Sequence, residues 1–156
     1  MELIGVMKHV KPAYLALNTY TKLMRAAESV TNRVSRIMTG AGLTISQFGV
    51  LEALHHKGPL CQRDIAAKIL KSTGNITLVI DNLEKSGLVR RERDSEDRRF
   101  FAVHLTEKGA ALIARVFADV EAAIVANMAV LTGDEQETLG GLCKKLGLEG
   151  GSLPPK

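Results

Sequence analysis

Apolar residues recur every three to four positions along most of the chain and every second position along one stretch, so the pattern predicts helices on both sides of a short hairpin. From Pro12 to Met38, the residues Leu17, Tyr20, Leu23, Met24, Ala27, Val30, Val34 and Ile37 line one side of a long helix. Proline suits its first turn, and Gly40-Ala41-Gly42 stops it. Thr44-Ile45-Ser46-Gln47 has the form of a capping box, and the helix it opens is expected to turn Ile45, Phe48, Leu51 and Leu54 inward before Gly58-Pro59 closes it. A shorter helix carries Ile65, Ala66, Ile69 and Leu70, with small Ala66 and Ala67 where another helix could cross closely. After the polar break Lys71-Ser72-Thr73, the positions Ile76, Val79, Ile80 and Leu83 pack one face inward and send Asn75, Thr77 and Asp81 outward, and Gly87 ends the helix. The period then changes. Residues 89–93 and 99–105 alternate around the polar tip Asp94-Ser95-Glu96-Asp97, with Phe101, Val103 and Leu105 on one side and Ala102 and His104 on the other. Thr106 caps a further helix, apolar from Ala110 to Leu131, and a second capping box, Thr132-Gly133-Asp134-Glu135, opens a last one through Leu139, Leu142 and Leu146.

Two short helices followed by a charged hairpin, between Leu60 and Gly109, form a winged helix-turn-helix. The fold class is therefore mainly α with a small β-hairpin wing, flanked by helices at both ends. A helix start bearing Ser72, Thr73, Gly74, Asn75 and Thr77 suits a major groove about 12 Å wide, where hydroxyls and amides meet base edges and phosphates. Gln62 and Lys71 stand beside it as further candidate contacts, and the wing arginines suit an adjacent narrow minor groove. The same pattern also fits a winged helix that docks proteins rather than DNA. Nor is the wing a plain basic patch: Arg90, Arg91, Arg93, Arg98 and Arg99 alternate with Glu92, Asp94, Glu96 and Asp97, so some acids must orient arginines.

The stretch resembles the multiple-antibiotic-resistance regulator (MarR) family of transcription factors, whose wing carries Asp-x-Arg before a strand ending in Leu-Thr-x-x-Gly. Here the matching residues are Asp97-Arg98-Arg99 and Leu105-Thr106-Glu107-Lys108-Gly109, preceded by residues 82–91, NLEKSGLVRR. The resemblance covers nearly the whole chain. It implies that Arg99 is the wing-tip arginine entering the minor groove, that Asp97 holds the wing, and that residues 72–77 lie in the reading end of the recognition helix. It further implies a homodimer in which residues 1–39 and 110–147 interleave around a DNA-binding region at 40–109, leaving 148–156 as a flexible tail.

Composition agrees with that expectation. At 156 residues with 46% hydrophobic residues, the chain has more apolar surface than a small monomer needs. A 25-residue helix such as the first is roughly 38 Å long and cannot cover its stripe with so small a domain, so a second copy must. Six aromatics and no tryptophan argue against a binder of single strands or RNA that works by stacking bases. The net charge of +4 favours phosphate, and it is uneven: residues 11–39 hold five bases and one acid, residues 107–156 five bases and seven acids. No apolar run reaches the roughly 18 residues of a membrane helix, and the expected location is cytoplasmic, with two cysteines that form no paired metal motif.

Enzymatic readings find little. There is no nucleophile elbow, P-loop or dinucleotide fingerprint, and no cofactor is expected. His55 and His56 point about 100° apart on a helix, so one is expected in solvent and the other packed or lining a cavity; Glu52 can share a face with His55, but no metal site follows from them. Cys61 occupies a helix N-cap position, where a serine-like cap is one role and a redox-sensitive thiol near Arg63 another. The peroxide-sensing members of the family carry their cysteine near the start of the first helix, and residues 9–20 contain none. By resemblance the function is a repressor released from a pseudo-palindromic operator by a small lipophilic or phenolic effector. Its pocket would lie between the first, second and fifth helices, with Tyr20, Met24, Phe48, Leu51, His55 and Phe117 as candidate lining. Thiol-based sensing and protein docking are the alternatives.

Overall fold

A computed structural model describes residues 11–69, 73–93 and 100–149. In chain order these form α1 (Pro12–Gly40), α2 (Ile45–Lys57), β1 (Leu60–Cys61), α3 (Gln62–Lys68), α4 (Thr73–Lys85), β2 (Val89–Arg93), β3 (Phe101–Leu105), α5 (Glu107–Met128) and α6 (Gly133–Glu149). The result is mostly helical with a small antiparallel sheet, as the alternation of periods predicted.

Local chemistry sets the helix ends. Pro12 stands in the first turn of α1, and Gly42 at φ 77° lets the chain reverse so that the Leu43 amide donates to the Met38 carbonyl at 2.9 Å and Leu43 drops into the core. The capping box at α2 forms in both directions: the Thr44 amide donates to Gln47 Oε1 at 2.9 Å and the Gln47 amide to Thr44 Oγ1 at 3.1 Å. Thr132 and Glu135 repeat it at α6 with distances of 2.8 and 3.3 Å. α6 runs on through Gly147 and Leu148, into the stretch expected to be tail.

The core lies where α2, α3, α4, α5 and the sheet converge, with Leu51, Ile65, Ile76, Ile80, Leu83, Val89, Val103 and Ile113 fully buried. Ile45 departs from the expected inward set: it is 53% exposed, whereas Phe48, Leu51 and Leu54 are buried. Three steps of three residues drift by about 180° around a helix, so Ile45 and Leu54 occupy opposite sides of α2.

The sheet has the order β1-β3-β2. β1 was not anticipated, because two residues carry no period; it pairs Leu60 with Val103 and Cys61 with Ala102. Register between β2 and β3 runs from Val89 opposite Leu105 to Arg93 opposite Phe101. Alternation therefore puts Val89, Arg91 and Arg93 with Phe101, Val103 and Leu105 on the helix-facing side, and Arg90 and Glu92 with Ala102 and His104 on the other. Phe101 shares its face with Val103 as expected but lies past the edge of the core and stays exposed.

Two large apolar surfaces are left open. Tyr14, Leu15, Leu17, Tyr20 and Met24 on α1 are exposed, and so are Leu139, Leu142, Leu146 and Leu148 on α6; of α1, only Val34 and Met38 are buried. Among the described residues no single helix is long and apolar enough to cross a membrane.

The start of α5 is locked to the turn after α4. Thr106 Oγ1 donates to the Gly87 carbonyl at 2.7 Å and accepts from the Gly109 amide at 3.0 Å, while the Thr106 amide donates to the Leu88 carbonyl at 3.1 Å. That carbonyl presses so closely on Gly109 that a Cβ there would lie 1.9 Å from it. Gly109→Ala gains about 1 kcal/mol of helix propensity but forces two backbones apart, an overpacking that costs about 3 kcal/mol or more. The expected outcome is a net loss of stability by urea denaturation; a variant as stable as the parent removes the steric account.

Candidate nucleic-acid interface

α4 presents the features a reading helix requires. Ile76, Ile80 and Leu83 anchor it in the core, which leaves Asn75 and Thr77 exposed on its outer side. Thr73 and Gly74 stand in its first turn. Lys71 and Ser72 before it, and the wing-tip residues Asp97, Arg98 and Arg99, lie outside the described residues.

The feature that sequence reasoning missed is how α4 is held. Arg91 on β2 is only 19% exposed and reaches three side chains at once. Its Nη2 donates to Asp81 Oδ1 at 2.6 Å, its Nη1 to Glu84 Oε2 at 2.6 Å, and its Nε to Gln62 Oε1 at 3.1 Å. Glu84 also accepts from the Arg91 backbone amide at 3.1 Å. Gln62 Nε2 in turn donates to Thr77 Oγ1 at 3.1 Å, so one relay runs from the wing through α3 to the outer side of α4. Gln62, expected at the DNA, is engaged inside this network. The acids that hold Arg91 come from α4, one turn apart. The signal was available in the sequence as two carboxylates on the outer side of a helix expected to meet phosphate, where they make sense only if neutralised.

On the far face of the hairpin, Arg90 Nε donates to Glu92 Oε1 at 2.5 Å and Arg90 Nη1 to the Leu105 carbonyl at 2.9 Å, with His104 Nε2 3.5 Å from Glu92. The hydrogen bond from Arg90, helped by the charges of Arg90 and His104 against some desolvation, holds the Glu92 carboxyl below its ordinary range. Its small contribution is therefore present at neutral pH and fades as pH falls through that lowered value.

Cys61 has the extended backbone of an N-cap, yet its side chain makes no capping hydrogen bond. Its backbone is committed to β1, and sulfur is a weak acceptor, so the serine-like role is not realised. Of the candidate pocket residues, Phe48 and Leu51 are core, Tyr20 and Met24 are exposed on α1, and Phe117 is half-buried on α5. His55 and His56 are both exposed, where one was expected in solvent and the other to pack or line a cavity. Both rings meet Phe117, at centroid distances of 6.4 and 4.7 Å. Glu52 pairs with His56 at 3.3 Å rather than with His55, since the i,i+4 spacing stacks the two along the axis. A shallow cavity of about 290 Å³ opens elsewhere, between the end of α1 and α5, beside Ile37, Arg115 and Asp119.

Known proteins resemble the chain in sequence and in fold. The sequence model of the MarR family matches residues 43–100. The HTH-type transcriptional regulators YkoM and MhqR of Bacillus subtilis are each 35% identical to the chain over 133 residues, covering 85% of it and 86% and 92% of themselves. The solved structure of Bordetella bronchiseptica BpsR, whose DNA binding is regulated by 6-hydroxynicotinic acid, superposes with a TM-score of 0.75 at 25% identity, covering 82% of this chain and 91% of that one.

Removing Arg91 leaves Asp81 and Glu84 without their cation. A fully buried pair broken this way costs about 3–5 kcal/mol, but these carboxylates are 43% and 41% exposed and can rehydrate, so Arg91→Met is expected to lose about 1–2 kcal/mol. Adding Asp81→Asn and Glu84→Gln should recover part of that loss in urea melts. No recovery would mean that the arginine acts by packing alone.

Proposed function

The chain belongs to the MarR family of transcriptional regulators, and from that premise we propose that it is a homodimeric repressor that reads a pseudo-palindromic operator and is released by a small apolar or phenolic effector. It is a regulator, not an enzyme, and members of its family bind DNA as dimers. The observation that carries the reading is α4, clamped to the wing by Arg91 with Asn75 and Thr77 turned outward. Base contacts need such a helix at a fixed angle to a second backbone-gripping element, because hydrogen-bond geometry tolerates little rotation. In this reading Ser72, Thr73, Gly74, Asn75 and Thr77 face bases and nearby phosphates, Lys71 holds phosphate, and Arg98 and Arg99 enter the minor groove with Asp97 supporting the wing.

The open apolar surfaces support the dimer. Residues 1–39 and 110–147 serve as dimerisation helices around the reading region 40–109, because the exposed side chains of α1 and α6 lose their hydration cost only against another copy. Burying Leu139, Leu142 and Leu146 stabilises that interface by about 1.5–3 kcal/mol each. Two reading helices related by a two-fold select half-sites with centres about 10 base pairs apart. Selection from random duplexes should return an inverted repeat of that spacing, and truncation after Thr132 should abolish both the dimer in sedimentation and operator binding. A motif without inverted symmetry, or a truncated protein that still dimerises and binds, sinks this reading.

BpsR supports an aromatic acid or phenol as the class of effector. A ligand seated between the dimerisation helices and the reading region changes the spacing of the two α4 helices, and the thermodynamics is reciprocal: DNA must weaken the ligand by the factor by which the ligand weakens DNA. A coupling of about 1–3 kcal/mol, roughly 5-fold to 150-fold, is expected. Operator release by a phenolic panel should be the same in wild type and Cys61→Ser. Release that occurs only with hydroperoxide and vanishes in Cys61→Ser would assign the signal to the thiol instead.

A further inference from the structure

Strand pairing sorts the three arginines of β2 by face and by partner. Arg90 lies on the outer face with Glu92 and His104, its charge already met at 2.5 Å. Arg91 lies on the helix-facing side and is consumed by Asp81, Glu84 and Gln62. Arg93 is on the same side as Arg91, about 7 Å further toward the wing tip by strand rise, and is exposed. Because Arg91 touches both α3 and α4 from this face, Arg93 emerges on the side of the wing where α4 lies.

Arg93 also differs in what holds it. Among the described residues no carboxylate meets its guanidinium. Instead it sits over the ring of its cross-strand partner Phe101, with the guanidinium carbon 5.7 Å from the ring centroid. An exposed phenylalanine is otherwise an unexplained apolar surface; as a seat for a cation, it limits the rotamers of Arg93 and leaves its in-plane N–H donors free to point outward. A planar donor fork held in advance, with no competing acid among the described residues, suits a phosphate oxygen pair.

We propose that Arg93, seated on Phe101, is a DNA-backbone phosphate contact on the recognition-helix side of the wing, whereas Arg91 is a strut that takes no phosphate. The assignment rests on the DNA-binding reading above. The two are separated by measuring Kd over a series of KCl concentrations for the duplex selected by the wild-type protein and for a scrambled duplex of equal length. Arg93→Gln is expected to weaken both duplexes by the same factor and to reduce the slope of log K against log salt by about 0.9 per protomer, hence about 1.8 for a dimer. Arg93→Lys should keep the slope, and Phe101→Leu should weaken binding while keeping it, since the charge remains but its seat is gone. Arg91→Gln should keep the slope and narrow the preference for the selected duplex.

Wild-type affinity and slope in Arg93→Gln overturn the proposal, as does a slope loss in Arg91→Gln equal to that expected for Arg93→Gln; wild-type behaviour of Phe101→Leu overturns the role of the ring. A wild-type protein with no salt-dependent duplex binding would instead overturn the DNA-binding reading itself. Thermal melts of each variant by circular dichroism show whether a loss reflects unfolding, and the exposed position of Arg93 leads us to expect none there.

Discussion

The close approach of the Leu88 carbonyl to Gly109 is the constraint on which the arrangement of the two functional regions depends. At this point the chain leaving α4 meets the chain entering α5, and the two backbones are nearer than any side chain would permit. Thr106 completes the junction by spending its hydroxyl twice, as donor to Gly87 and as cap for α5. A hydrogen-bonded backbone seam of this kind resists shear in a way that apolar packing does not, because its partners are fixed in direction. It follows that the start of α5 and the turn after α4 are held as one unit. A change in the spacing of α5 across a two-fold would therefore be delivered to α4 with little loss.

The interface opposes two electrostatic demands. A DNA reader needs uncommitted positive charge, yet an arginine-rich wing left to itself would repel its own members and wander in rotamer space. The structure answers by division. Arg90 and Arg91 are neutralised by Glu92 and by the α4 acids, which gives shape. Arg93 has an aromatic ring for support, and among the described residues no carboxylate meets it. The acidic residues on α4 thus do not oppose phosphate binding as their bare count suggests, for their field is met within about a hydrogen-bond length. Net charge is a guide to encounter with DNA, while the pairing pattern decides which cations arrive free.

Exposed leucines on α6 and the exposed half of α1 belong to the same economy of surface. A small domain has limited means to cover helices of 29 and 17 residues, and their stripes outrun the core. The apolar faces of α1 and α6 remain unmatched within one chain, and it is on this surface that the proposed dimer rests.

The amino-acid sequence by itself determined the elements and their ends. Capping boxes at Thr44 and Thr132, the glycine stops at Gly42 and Gly87, and the shift of period at Val89 are local events within a few residues, set by backbone geometry and burial of one face. The outward face of α4, with Asn75 and Thr77, and the apolar excess were legible for the same reason. Three things were decided only by the tertiary structure. β1 arose because β3 had a free edge to pair, not from any pattern in Leu60-Cys61. Ile45 was left outside because packing covers only part of a helix whose apolar residues spiral around it. The fates of Gln62, Arg90, Arg91 and Arg93 depended on which carboxylates, amides and rings came within reach across gaps of up to 29 residues. A charge pattern states which residues can pair, but the pairing itself is a matter of distance, and distance between remote residues exists only once the chain has folded.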